Sequence, residues 1–125
     1  MPSTSRELEL WFRSAALELS KHPYCEECGA YIPQEFYRAA TAHILPKKKE
    51  YGFPSVATHP LNKLFLGAGC GCHNKSHRWD TFSKMKVWGK AVANFLEIYR
   101  HIHNDEIKNI PEVLLVELKK NLNND

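Results

Sequence analysis

The sequence predicts an α+β fold, a short-stranded and metal-clamped middle held between amphipathic helices. Three features point to it. Apolar residues recur at helical spacing near both ends of the chain but not in its centre. The centre instead holds two short strand-type stretches separated by a loop rich in proline and lysine. The only four cysteines fall in two close pairs, Cys25/Cys28 and Cys70/Cys72, one on either side of that loop. A chain of 125 residues suits a single domain, divided here into a helix over 1–23, a core over 24–80 and helices over 81–125.

Residues 4–21 read as the first helix. Thr4 and Glu7 have capping-box spacing, and Leu8, Trp11, Phe12, Ala15 and Leu19 form one apolar stripe that Pro23 ends. A turn holds Cys25-x-x-Cys28 and closes on Gly29. Residues 36–44 look extended, because Phe36, Tyr37, Thr41 and Ile44 are strand-type residues. Pro46, Gly52, Pro54 and Pro60 exclude regular structure over 46–60, and a loop that long in a small domain is commonly functional. A second short strand is expected within 61–66, then a glycine-rich turn and a short helix over 73–80. Met85, Trp88, Val92, Phe95, Leu96, Tyr99 and Ile102 make one stripe of a helix over 83–103. Pro111 stands in the first turn of a last helix faced by Leu114, Leu115, Leu118 and Leu122, with a tail over 121–125 that frays.

No apolar run reaches the ~20 residues of a membrane span, and the N-terminus has no signal-peptide core. The expectation is a cytoplasmic protein with no membrane partner, in a reducing compartment where cysteines serve as metal ligands rather than disulfides. Four thiolates around Zn²⁺ make a closed structural site, and Cys25, Cys28, Cys70 and Cys72 are its candidate ligands. The second pair has one intervening residue instead of two, which asks for a tighter turn that Gly69 and Gly71 can supply. Two alternatives stay open: His73 replaces one sulfur, or the cysteines are buried thiols. His73 and His77 are four apart, so on a helix they share a face and can share a second cation.

The overall charge of +3 is unevenly spread. From Arg38 to Lys90 there are ten basic residues against two acidic ones, while both flanks are net negative. A basic middle between acidic ends fits a polyanion site, although a solvated lysine-rich surface has the same composition.

The run Cys25-x-x-Cys28, Ala42-His43-Ile44-Leu45-Pro46-Lys47, Asn62, Cys72-His73 and His77 resembles the HNH endonuclease family, the ββα-metal fold in its zinc-clamped form. Phage and prokaryotic members of that family add helices to such a core. The resemblance covers roughly residues 25–80 and implies a metal-dependent nuclease acting on DNA, with RNA left open. It implies His43 as general base, Asn62 as the residue that orients it, and His73 and His77 as ligands of a catalytic divalent ion. Imidazole suits the base because its pKa lies near neutrality. Mg²⁺, Mn²⁺, Ni²⁺ and Zn²⁺ are all candidates for the ion. Lys47, Lys48, Lys49, Lys63, Lys75 and Arg78 would then hold phosphates rather than read bases. The chain departs from the family at Ala42, where many members carry a metal-ligating aspartate or histidine; His59 and Glu35 are candidates for a substitute ligand. A zinc-stabilised nucleic-acid-binding module without catalysis is the alternative.

Overall fold

A computed structural model describes residues 4–123 and shows a mixed fold, mostly helical, around a two-stranded sheet. Helix α1 spans Ser5–Lys21, and both bonds of the capping box form: Glu7 N donates to Thr4 Oγ1 and Thr4 N to Glu7 Oε1. Its buried stripe is Trp11, Ala15 and Leu19. Strands β1 (Thr41–Ala42) and β2 (Leu64–Phe65) pair antiparallel, Thr41 opposite Phe65 and Ala42 opposite Leu64.

β1 is far shorter than the extended 36–44 stretch. Pro33 starts a 3-10 turn over Gln34–Phe36, and turn bonds continue to Ala40, whose amide donates to Phe36 O. Local turn bonding has overridden strand propensity, which is context-dependent. The 46–60 loop is also more regular than expected, with a 3-10 turn over Pro54–Val56.

After β2 the chain makes two one-turn helices, α2 (Cys72–Lys75) and α3 (Trp79–Phe82), where one helix over 73–80 was expected. The helix expected over 83–103 forms only as α4, Trp88–Ile98. Its start is braced from elsewhere in the chain: the Glu27 carboxylate accepts from the amides of Lys86 and Val87, just ahead of the first turn, where a negative charge suits the helix dipole. Beyond Ile98 come 3-10 turns over Tyr99–His101 and Asn104–Asn109. Helix α5 (Glu112–Asn123) then packs on α4 and buries Leu114 completely. It runs on through 121–123, where fraying was expected; the last two residues lie outside the described ones.

Phe53, Phe82, Phe95, Leu45, Leu64, Leu66 and Ile98 fill one core that every part of the chain enters. No helix among the described residues is long and apolar enough to cross a membrane.

Candidate metal centre and catalytic cleft

Two tight turns bring the cysteines together. Gly29 (φ 81°) closes the first, with its amide on Cys25 O at 2.9 Å. Gly71 (φ 80°) closes the second and leads into α2 at Cys72. Both glycines adopt left-handed backbone that other residues take at a cost. At Gly67 the constraint is space, since a Cβ there would meet Cys70 Sγ at 2.8 Å and push on the cluster. The four Sγ atoms lie within 4.8 Å of one another, and Cys25 and Cys70 are 3.7 Å apart. A tetrahedral Zn²⁺ with about 2.3 Å bonds needs its sulfurs about 3.8 Å apart, whereas a disulfide needs about 2.05 Å. All four cysteines are free, so their arrangement fits a metal and not a disulfide framework.

Burial raises the Cys25 thiol, but backbone amides of Gly67, Cys28 and Glu27 outweigh it and bring its pKa down to about 7. Burial pushes the Cys72 thiol well up, and the neighbouring thiols add to the effect. The first turn is tied to β2 through Glu26, whose amide donates to Phe65 O while its carboxylate accepts from Phe65 N at 2.7 Å. Lys90 of α4 pairs with the same carboxylate. His73 is not part of the cluster. The four sulfurs gather without it, and its ring lines the neighbouring cleft with Nδ1 donating to Ala39 O at 2.6 Å.

A cleft of about 560 Å³ lies beside this clamp, and His43, His73 and His77 all line it. Strand alternation explains the first: Thr41 and His43 face the cleft while Ala42, 2% exposed, enters the core. Ala42 therefore presents no ligand to the cleft. His59 and Glu35 do not line the cleft; the His59 ring packs by His101, centroids 5.3 Å apart.

His43 Nε2 donates to Ala57 O at 2.9 Å, which leaves Nδ1 with the lone pair. The ring stacks on Trp11 at 4.3 Å and 14°. Burial pulls its pKa down to about 4, only partly offset by the Ala57 carbonyl. The imidazole is neutral at physiological pH and able to accept a proton.

Asn62 does not hold that imidazole, contrary to the role expected of it. Its side chain is fully buried, accepts from Leu45 N at 2.7 Å and donates to Leu45 O and Val56 O. Its work is to tie the end of the β1 segment to the loop that carries Ala57. Asn62→Ala strands three backbone groups, so urea unfolding should show a loss of about 3 kcal/mol, against almost none for exposed Asn74→Ala.

α2 ends at Lys75, so His77 stands on the following turn rather than on one helix with His73. The rings still meet edge to face, centroids 4.9 Å apart. Two imidazoles on one ion, with nitrogens about 2.1 Å from it, have ring centres roughly 4.5 to 5.2 Å apart. The Nδ1–H of His73 on a carbonyl fixes the tautomer that leaves Nε2 for a cation. Burial and the nearby His77 lower the His73 pKa, and the Ala39 carbonyl opposes them.

Of the six cations expected to meet phosphate, Lys47 and Lys48 line the cleft. Lys63 does not serve, because it is 9% exposed and paired with Glu18. Lys49 lies by a separate polar pocket, Arg78 pairs with Asp80 at 3.1 Å, and Lys75 is exposed outside the cleft lining. Arg38, which the motif did not single out, does line it, as do Phe12, Tyr51 and Trp79. Among the described residues no carboxylate lines the cleft. The chain matches no family model, no curated protein and no solved structure.

Proposed function

We propose that this chain is a metal-dependent endonuclease of the HNH, ββα-metal type that hydrolyses phosphodiester bonds in DNA. What carries this reading is the convergence of His43, His73 and His77 on one cation-lined cleft. The succession β1, β2, α2 beside a four-cysteine cluster is in keeping with it. Zn²⁺ held by the cysteines would leave no open position and only maintain shape.

His43 Nδ1 takes the proton of the attacking water, its ring held by Ala57 O and the face of Trp11. Lys47, Lys48 and Arg38 hold the phosphodiester by charge. His73 and His77 would hold a divalent ion, which when bound supplies Lewis acidity to the phosphate and the departing oxygen. With two imidazoles and no carboxylate in the cleft, the donor set suits Mn²⁺, Ni²⁺ or Zn²⁺ better than Mg²⁺.

Supercoiled plasmid incubated with the protein and each ion in turn tests this. The expected result is nicking with Mn²⁺ or Ni²⁺, less with Mg²⁺ and none in EDTA. Cleavage no faster than background with every ion would overturn it. A nucleic-acid-binding module without catalysis is the second reading, favoured by the burial of Ala42 and the lack of a third protein ligand. Salt-sensitive DNA binding with no nicking would select it.

A further inference from the structure

Gripping a phosphodiester needs cations, and Arg38, Lys47 and Lys48 supply them; it does not need the aromatic rings that share the lining. Tyr51 is one of these rings, 59% exposed, with neither a hydrogen bond nor a ring partner among the described residues. Its exposure is built into the loop. Immediately after it, Gly52 packs so closely that a Cβ would lie 2.4 Å from Lys48 O. Asn109 Nδ2 holds Gly52 O at 2.9 Å, and Phe53 is sunk in the core with its amide on Pro46 O at 2.7 Å. Lys47, Lys48 and Tyr51 thus project from one pinned turn.

Elsewhere in the lining the Arg38 guanidinium lies 4.0 Å over the Phe12 ring, a planar cation on an aromatic base. Its ion pair with Glu9 is solvent-exposed and holds it weakly. A volume of about 560 Å³ falls in the roughly 300–1,000 Å³ range of pockets that enclose a small molecule, far above what a phosphate fills.

We infer that the cleft accepts an unpaired nucleotide of single-stranded or locally opened DNA, its base stacked on Tyr51 and its phosphate held by Lys47, Lys48 and Arg38. Paired bases inside a duplex have both faces covered by their neighbours and offer nothing to such a ring, whereas every unpaired base has a free π-face. This rests on the nuclease reading and narrows its substrate.

Fluorescence anisotropy of labelled dT12 and of a 12-base-pair duplex, with the zinc-loaded protein and no added divalent ion, tests it. The single strand should bind about tenfold more tightly than the duplex. Tyr51→Ala should weaken single-strand binding about tenfold and leave the duplex unchanged, with Tyr51→Phe close to wild type. Equal affinity for both forms, an equal loss on both, or no loss with Tyr51→Ala would overturn the inference. If plasmid is nicked in those cases, the nuclease reading stands without it. Binding to neither form together with no nicking removes the nuclease reading itself.

Discussion

Cys25→Ser is expected to lose about one equivalent of zinc and, with it, the cooperative thermal transition of the whole chain. The sheet has two residues per strand, and an isolated two-stranded pair is marginal in water. An ion held by Cys25, Cys70 and their neighbours would replace the missing sheet with a cross-link between turns 45 residues apart. Structural zinc sites in small domains contribute apparent free energies of about 10–16 kcal/mol, as large as the whole stability of a typical domain at about 5–15 kcal/mol. Losing the ion therefore exceeds what the remaining core can offset. Cys25 is buried, so its replacement also disturbs packing; Cys28 is exposed and isolates the metal. Cys28→Ser should lose the same equivalent and a comparable part of the melting temperature, read by metal analysis and circular dichroism. Protein that purifies metal-free and melts identically with and without a chelator would show that the thiols carry no ion.

The parts of this fold that follow local rules were legible in the sequence. The Thr4/Glu7 box, the Trp11–Ala15–Leu19 stripe and the pairing of Cys25/Cys28 with Cys70/Cys72 each depend on residues a few positions apart or on a spacing with a chemical meaning. Elements governed by distant partners were not. The stripe over 83–103 is truly helical in its apolar period, yet the helix begins at Trp88, its start braced by Glu27 about sixty residues earlier. Lys63 looked like a phosphate contact until Glu18 of α1 paired with it.

The cleft divides along the same line. The three histidines were singled out by motif, and all three line one cleft. The atoms that fix them, Ala57 O and Ala39 O, are backbone carbonyls and have no sequence signature. Trp11 was read as ordinary core, and it is 5% exposed as core should be. Only its 4.3 Å stack on His43 marks it as support for the site. Asn62 was noticed for its type, but its partners had to be seen, and they are Leu45 and Val56.

His43→Ala should cut the rate of plasmid nicking by about 10²–10⁴-fold while leaving DNA binding near wild type, because Lys47, Lys48 and Arg38 are untouched. The environment of the ring gives the pH dependence a definite form. Burial holds the folded pKa near 4, below the ordinary 6.5, so the base stays neutral as the pH falls through 6.5. The acid limb of kcat/KM in the free enzyme should accordingly lie well below pH 6.5, towards pH 4. Stability moves in the matching direction. Above pH 6.5 neither folded nor unfolded chains hold the proton, and the full contribution is present. Between 6.5 and 4 the unfolded chain takes the proton first, so stability is lost as the pH falls through that window. Urea midpoints at pH 7 and pH 5 should differ less in His43→Ala than in wild type, since one group that titrates on unfolding is gone. Trp11→Leu opens one face of the ring to water and should move the acid limb upward towards 6.5. An acid limb already at 6.5 in wild type, unmoved in Trp11→Leu, would mean that the buried imidazole is not the base.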